Sequence, residues 1–397
     1  MPNSDFISGY LSQNPNNSMF FYITYLYSRV LNLFVTNPSN WFYWQIFNLL
    51  ILDVGFLLLF KASKQIFSEQ VSYAVLYLCL FSLSLSPWIL VPYTDTFAFS
   101  LISLIFYVFG KMKKCSGKLI RIFLLVVLGL LLGVAFLLKP SSIIFFIALI
   151  ILEFVQVITS RKSQRSNVIK KIMFVVLFFL ATITAFSIFQ KNQNFIKLDN
   201  NKSKPAIHFI MMGLKNEGGY NQEDSDIVNG IDGHENKEAY IKNEIRVRLK
   251  NFGFFGYMKF LMKKHFNNTS NGDFGWGRDG TPQRPEKEST SKFQFILRDW
   301  YYQQGNRTNN IRFFMHLMWL ITLLFSFSVV FIKLRDNEYS NLIYILMLSV
   351  LGAFMYLLIF EGGRSRYLIQ FLPIFYILAG VGICETLGAL KPRNIKQ

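Results

Sequence analysis

Apolar runs close to 20 residues recur along most of this 397-residue chain, and they limit its possible folds more than any other feature. A helix needs about 20 apolar residues to cross the hydrocarbon core of a bilayer. Only 16% of the residues are charged, compared with about 25% in soluble domains. The 43 phenylalanines argue against disorder. We therefore predict an all-α polytopic membrane protein with about ten transmembrane helices.

The apolar runs fall into two groups, separated by a long polar segment. Residues 190–311 carry about half of all the charged residues. We predict an N-terminal transmembrane body of about seven spans over 1–189, an extracytoplasmic loop domain with amphipathic helices over 190–311, and a C-terminal body of three spans over 312–397. The predicted spans are 19–35, 41–60, 71–91, 96–110, 119–138, 140–158, 168–189, 312–333, 340–360 and 367–389.

Basic residues cluster in short loops that follow alternate spans. By the positive-inside rule this side faces the cytoplasm, which places the C-terminus inside and 190–311 outside a multi-pass plasma-membrane protein. The orientation of residues 1–60 stays open, since one of the first two predicted spans could lie along the membrane surface. The clusters are Lys111, Lys113, Lys114, Lys118 and Arg121; Arg161, Lys162, Arg165, Lys170 and Lys171; Lys333 and Arg335; and Lys391, Arg393 and Lys396.

Charged residues at membrane level are rare, and they are therefore candidates for function. Asp95 follows a Pro-Tyr-Thr turn that contains Tyr93 at the predicted outer face. An acid there can accept a hydroxyl proton or serve as a helix N-cap. Lys139 interrupts two apolar runs at the same face, where an ammonium suits a lipid phosphate or extends to the membrane interface.

A second group of candidates opens the last span. Arg364 and Arg366 lie in a Gly-containing turn with Glu361 and Tyr367. Guanidinium groups bind phosphate in bidentate geometry, and the nearby acid could hold one of them in place. The alternative is an interfacial anchor of Arg and Tyr. We favour phosphate binding, because such anchors place Arg on the cytoplasmic side more often.

His208 and Asp224 lie just after the seventh predicted span, and they could bind sugar hydroxyl groups. The alternative is an ordinary buried histidine. The cysteines, Cys79, Cys115 and Cys384, are far apart and imply neither a metal nor a disulfide. We predict no metal-ligating residues and no certain cofactor, although a divalent cation is a candidate. The glycine-rich stretch 271–280 has no phosphate-binding spacing and indicates a shaped loop.

Several of these segments, taken in order, resemble the GT-C superfamily of membrane glycosyltransferases, close to the family 39 dolichyl-phosphate-mannose-protein mannosyltransferases. The resemblance covers nearly the whole chain. Its segments are Asn14-Pro15-Asn16-Asn17 before a span rich in Tyr and Phe; Pro92-Tyr93-Thr94-Asp95; Lys139-Pro140; residues 208–214 with Gly218-Gly219-Tyr220 and Asp224; and Arg364-Ser365-Arg366-Tyr367 with Leu372-Pro373.

The resemblance implies transfer of a sugar from a polyprenyl-phosphate donor to a glycan, lipid or protein acceptor of the cell envelope, outside the membrane. Arg364 and Arg366 match the arginine motif thought to bind the donor phosphate. Lys139 is a further phosphate contact, and Asp95 matches an acid near the reaction centre. His208, Asp224, Tyr93 and Glu361 are the predicted substrate-binding residues. No nucleic-acid partner is expected.

The chain departs from this family at its start. The similar enzymes begin with an additional span and an outer loop that carries the general base, whereas residue 1 here falls late in that loop. Asp5 is the only acid before the Asn-Pro-Asn-Asn segment. We expect an incomplete amino terminus, which could leave the enzyme inactive and would place residues 1–18 outside. The alternatives are a flippase or transporter of lipid-linked glycans and an envelope polysaccharide polymerase.

Overall fold

The computed structural model describes residues 4–159, 162–276, 291–332 and 338–390. These residues form fifteen α-helices, joined by loops and short 3-10 turns, with no β-strand in the described ranges, which confirms the all-α prediction. The helices are α1 (Ser4–Gln13), α2 (Ser18–Leu31), α3 (Trp41–Ile66), α4 (Glu69–Phe81), α5 (Thr94–Lys114), α6 (Lys118–Leu138), α7 (Ile144–Thr159), α8 (Lys162–Asn192), α9 (His208–Met212), α10 (Gln222–Asn229), α11 (His234–Thr269), α12 (Lys292–Tyr301), α13 (Thr308–Ser328), α14 (Glu338–Ile359) and α15 (Leu372–Leu390).

Parts of the sequence-based predictions lie outside the described residues. They are the loop residues Gly277, Arg278, Asp279 and Gly280, and the basic residues Arg161, Lys333, Arg335, Lys391, Arg393 and Lys396. The side chains of Lys162 and Arg165 are also outside the description.

Within the described ranges, seven helical stretches are long and apolar enough to cross a bilayer. They are 41–66, 94–114, 118–138, 168–192, 308–331, 339–359 and 365–388. Two further predicted spans fall on shorter apolar stretches, 69–85 and 140–155. The 69–85 stretch ends in a 3-10 turn at 83–85. A further 3-10 turn follows at 87–90 and starts at Pro87. An apolar window does not register such interruptions, so it predicts longer spans than the backbone forms.

The first predicted span, 19–35, corresponds to α2, which has only 14 residues. A helix of that length extends about 21 Å, less than the roughly 30 Å of the hydrocarbon core. Ser18, at its start, accepts a hydrogen bond from Gln190 near the end of α8 at 3.0 Å. Tyr27, near its end, donates to the carbonyl of Tyr43 at the start of α3 at 2.8 Å. Both ends of α2 therefore lie on one side of the helical body, and α2 packs along that side without crossing.

Helix α15 forms the centre of the helical body. Residues 371–382 are all buried, and α15 packs against α4, α5, α13 and α14. Around it, α3 packs along α5, and α6 packs along α8. The α6–α8 pair is close because Gly129 and Gly133 have no side chains. A Cβ at Gly133 would lie 2.5 Å from the Cβ of Thr182, so this pair uses the small-residue packing common in membrane helices.

The segment from 193 to 276 packs on the same side of the body as α2. Its longest element, α11, bends at Gly253, where the backbone adopts a positive φ of 58°. The first half of α11 covers α9 and α10 through Met211, Val228 and Ile241. The second half packs on α14, where the rings of His265 and Phe354 meet edge to face at 5.0 Å. This half of α11 is thereby held beside the end of α14 that leads into residues 361–366.

Candidate functional site

Three charged residues from distant parts of the chain meet on the side of the body that carries α2 and α11. Asp95 lies in the first turn of α5, Lys139 follows α6, and Arg366 lies in the 3-10 turn before α15. The Lys139 ammonium donates to Oδ1 of Asp95, and the Arg366 Nε lies 3.6 Å from Oδ2. Asp95 is 1% exposed, whereas the side chains of Lys139 and Arg366 are 16% and 9% exposed. One buried carboxylate therefore holds two cations near the surface.

The start of α5 is fixed by hydrogen bonds next to Asp95. Thr96 donates to the side-chain oxygen of Asn48 in α3 at 2.6 Å. The amide of Asn48 in turn donates to the carbonyl of Ile89 at 2.7 Å. The N-cap of helix α5 is Tyr93, the residue immediately before Thr94. The Asp95 carboxylate faces Lys139. The N-cap alternative for Asp95 is therefore wrong, because Tyr93 occupies the cap and the carboxylate binds Lys139.

Aromatic rings surround the two cations. The Arg366 guanidinium lies 4.6 Å from the centre of the Tyr93 ring and 5.8 Å from that of Trp88. Lys139 lies 5.2 Å from the centre of the Tyr367 ring. Cation–π contacts of this kind are worth roughly 0.5–2 kcal/mol and fix the direction in which a guanidinium points. The rings thus restrict Arg366 to a small part of the site.

Glu361 and Arg364 complete this site. The hydroxyl of Tyr367 donates to Glu361, which places a second carboxylate beside Lys139 and Arg366. Arg364 lies against the backbone of residues 218–219, because its Nε is 3.2 Å from where a Cβ on Gly219 would be. Three cations and two carboxylates give this group a net charge of +1, from Lys139, Arg364, Arg366, Asp95 and Glu361. Cations therefore outnumber carboxylates in this group.

Residues 213–219 join the segment 193–276 to this site. The Gly362 N–H donates to the carbonyl of Gly218 at 2.8 Å. Lys264 of α11 is 1% exposed, and its ammonium donates to the carbonyls of Gly213, Leu358 and Phe360 at 2.7–2.9 Å. Gly218 has a φ of 82°, and a side chain there would collide with Lys264. These contacts between α11, residues 213–218 and the end of α14 hold the 361–366 turn in place.

His208 and Asp224 lie in a separate polar group between α9, α10 and α11. The Arg248 guanidinium donates to both oxygens of Asp224 at 2.8 Å, and Lys215 donates to one of them at 3.2 Å. Burial opposes ionisation of Asp224, but Arg248 and Lys215 outweigh it, so the pKa of the carboxyl is lowered. Both oxygens of Asp224 already accept hydrogen bonds from Arg248 and Lys215. In this conformation they are therefore not available to bind a sugar.

His208 is 1% exposed, and its ring nitrogens have no hydrogen-bond partner among the described residues. Burial, with a further contribution from Lys204, lowers the pKa of His208 from 6.5 to about 4. The imidazole is therefore neutral at physiological pH. The structure thus brings together Asp95, Lys139, Arg366, Tyr93 and Glu361. It places His208 and Asp224 apart from them, in the segment 193–276.

Sequence reasoning missed several residues that build these sites. Trp88 and Asn48 lie inside the predicted spans 71–91 and 41–60, where nothing in the local sequence marks them as site residues. Lys264 and Arg248 lie in the 190–311 segment, for which the sequence predicts amphipathic helices. Their pattern shows which helix face they occupy, but only the folded chain shows that the two cations are buried against residues 213–224. In the described part of the chain, no three His, Cys, Asp or Glu residues are close enough to hold a metal ion.

Comparison with known families places almost the whole chain in one group. Residues 1–387 match a family described as conserved hypothetical integral membrane protein, and the chain belongs to this family. No protein with a curated function matches the sequence, and no solved structure does. The family confirms an integral membrane protein and leaves its chemistry to be inferred from the site.

Proposed function

From this membership of an integral membrane family, we propose that the protein is a membrane glycosyltransferase. It transfers a sugar from a polyprenyl-phosphate donor to a cell-envelope acceptor at the extracytoplasmic face. The observation that carries the proposal is the pairing of Lys139 and Arg366 on the buried carboxylate of Asp95, at a membrane-level end of α5, α6 and α15. The sequence resemblance to GT-C enzymes supports the same function.

A polyprenyl-phosphate donor fits the charge and position of this site. Its polyprenyl chain needs lipid, and its phosphate needs cations at the membrane surface. Arg364 and Arg366 lie in the turn that opens the last span, and the group around them has a net charge of +1. A phosphate in this turn would contact both arginines. The rings of Tyr93 and Tyr367 would lie beside it.

The reaction we propose is a displacement at the anomeric carbon of the donor sugar. The acceptor hydroxyl loses its proton, its oxygen forms a bond to the anomeric carbon, and the bond from that carbon to the phosphate oxygen breaks. The departing phosphate carries its own negative charge, so it needs cations rather than an acid. Arg364, Arg366 and Lys139 stabilise that charge as it develops.

Asp95 is the proposed acceptor of the hydroxyl proton. In the structure its Oδ1 accepts from Lys139, so the acceptor hydroxyl cannot reach this oxygen while the contact is kept. We propose that a bound donor phosphate draws the Lys139 ammonium away from Asp95. Donor binding then breaks this contact and leaves Oδ1 of Asp95 free to accept the hydroxyl proton. This exchange would couple the presence of the donor to the availability of the base.

The donor lipid has a direct route to this site along α11 and α14. Met262 and Phe266 on α11 are more than 60% exposed, and Met355 and Ile359 on α14 are about half exposed. Because α11 packs on α14 at His265 and Phe354, the exposed apolar surfaces of the two helices are adjacent. A polyprenyl chain lying against α14 would bring its phosphate to the end of that helix, at residues 361–366.

A transfer assay in proteoliposomes tests this function. The full chain is supplied with radiolabelled undecaprenyl-phosphate hexoses and envelope glycans, and released undecaprenyl phosphate is measured with the product. We expect turnover by the wild type and its loss in Arg364→Gln and Arg366→Gln. Arg246→Gln is the matched control, since Arg246 is an exposed arginine of α11 away from the site.

Two outcomes would contradict the proposal. One is unchanged transfer in Arg366→Gln when that variant inserts as the wild type does. The other is movement of the donor across the bilayer with no undecaprenyl phosphate released, which would instead support the flippase or transporter alternative. The polymerase alternative retains the same donor chemistry, and a lengthening glycan product would distinguish it.

A further inference from the structure

A pocket lies at the opposite end of the helical body from the Asp95 site. It has a volume of about 310 Å³ and is formed by α5, α6, α7 and α8. Asp95 is in the first turn of α5, whereas Lys113, near the end of the same helix, lines this pocket. Eighteen residues of helix separate the two by about 27 Å, so the pocket belongs to the other membrane face.

The pocket changes from apolar to charged along each of its helices. On α6, Leu128 and Leu125 line the pocket towards the middle of the helix, and Arg121 lines it near the helix start. On α8, Val175 and Lys171 follow the same order. The residues on each helix are three or four positions apart, so they share one helix face. An apolar wall with cations at its mouth matches an amphiphile with an anionic head.

The charges at the mouth favour an anion. Lys113, Arg121 and Lys171 line it together with one acid, Glu153, which gives a net charge of +2. Helix α6 begins at Lys118, close to Arg121, and the positive end of its dipole adds to this field. The three cations lie in an exposed part of the surface, and each can therefore reach the headgroup layer. A small soluble anion has no apolar part that could contact the aliphatic wall next to these cations.

We propose that this pocket binds an anionic phospholipid, with its phosphate between Lys113, Arg121 and Lys171 and an acyl chain against Leu125 and Leu128. The positive-inside prediction puts this end in the cytoplasmic leaflet, where anionic lipids and basic pockets between membrane helices occur together. The lipid would fill the space between the α5–α6 and α7–α8 helix pairs and hold them together. This inference is independent of the proposed glycosyltransferase function.

Lipid retention by the purified full chain tests the proposal. The protein is exchanged into nanodiscs of phosphatidylcholine with increasing phosphatidylglycerol, and bound lipid is quantified by native mass spectrometry after release. We expect selective retention of phosphatidylglycerol. The triple variant Lys113→Gln, Arg121→Gln, Lys171→Gln should reduce that selectivity by about tenfold or more, since each cation contributes to attraction of anionic lipid.

The end of α5 and the start of α6 offer a matched control of equal charge. Lys111, Lys114 and Lys118 are exposed at the same end of the body but do not line the pocket. Changing these three to Gln should leave retention within about twofold of the wild type. Equal losses in the two triple variants would overturn the site and indicate general attraction to the surface.

A second pair of measurements tests the apolar wall. Leu149→Trp adds volume to the pocket wall without changing its charge, and we expect it to reduce retention of phosphatidylglycerol. Glycerol phosphate or inorganic phosphate at millimolar concentration should not displace the lipid. Displacement by either small anion, or full retention in Leu149→Trp, would overturn the phospholipid assignment. Retention of phosphatidylglycerol in Arg366→Gln would confirm that this site is separate from the Asp95 site.

Discussion

Replacing Asp224 by Asn should strongly destabilise the packing of α9, α10 and α11, although the change keeps the size of the side chain. Asp224 is 1% exposed and binds the Arg248 guanidinium through both oxygens at 2.8 Å. The amide of Asn carries no charge, so Arg248, which is only 14% exposed, would stay buried without its counter-ion. The change therefore leaves an uncompensated charge inside the α9–α11 contact.

The expected cost follows from that burial. Removal of one partner from a buried ion pair destabilises by about 3–5 kcal/mol. The hydrogen bonds that Asn can still make place the expected value near the lower end, at about 3 kcal/mol. A neighbouring pair provides the comparison. Glu223 is 71% exposed and binds Lys215 at 2.7 Å. Exposed pairs contribute about 0–1 kcal/mol, so Glu223→Gln should have little effect.

Hydrogen exchange at pH 7 measures this cost locally. The opening free energy of peptides covering α9 and α10 should fall by about 3 kcal/mol in Asp224→Asn and by less than about 1 kcal/mol in Glu223→Gln. Peptides from α13 should be unchanged in both variants. Adding Arg248→Met to Asp224→Asn should recover part of the loss, because the unpaired charge is then removed as well.

The pH dependence provides a second measure of the same pair. The pKa of Asp224 is lower in the folded chain than its ordinary value of 3.8. The stabilisation is therefore present above pH 3.8 and is lost as the pH falls through the lower folded value. The difference between wild type and Asp224→Asn should shrink in that acidic window. A difference below about 1 kcal/mol at pH 7 would refute the buried-pair reasoning and leave Asp224 available as a sugar ligand.

Three further expectations follow from other parts of the structure. Because the pKa of His208 falls from 6.5 to about 4, its folded form binds fewer protons between these values. Protection of α9 should therefore decrease by up to about 3 kcal/mol as the pH falls from 6.5 to 4, and His208→Leu should remove that dependence in hydrogen exchange. A spin label at Met262 should be accessible to oxygen, which reports lipid, because Met262 lies on the exposed apolar surface of α11. A spin label at Lys263 should be accessible to nickel, which reports water. Equal accessibility at the two positions would contradict the lipid-facing surface. Cysteines at Tyr220 and Lys113 should react from opposite sides of intact cells, Tyr220→Cys from outside, and labelling of both from one side would contradict the topology.

The helical architecture could be predicted from composition because length and apolarity decide whether a helix crosses a bilayer. The sequence left the position of α2 open. Its run of apolar residues resembles a span, but the contacts of Tyr27 with Tyr43 and of Ser18 with Gln190 keep both ends on one side. Those contacts join residues that are distant in the chain, and a local hydropathy pattern contains no information about them.

The candidate site was predictable in part, for a similar reason. Asp95, Lys139 and Arg366 stand out because charge at membrane level is costly and therefore rare. His208 and Asp224 stand out equally in the sequence, yet they belong to another polar group. Asp224 is paired with Arg248, which lies 24 residues further along the chain in an ordinary amphipathic pattern. The pairing depends on how α11 folds back over α10, and side-chain spacing does not reveal this.

The central claim is that Arg366 binds the phosphate of a polyprenyl carrier, and the affinity of the purified full chain for undecaprenyl phosphate tests it most directly. Titration in phosphatidylcholine nanodiscs should give saturable binding by the wild type and by Arg246→Gln. Arg366→Gln should bind about tenfold to a hundredfold more weakly, which corresponds to the loss of one hydrogen bond between charged groups. Equal affinities of the wild type and Arg366→Gln, at equal insertion, would contradict the account.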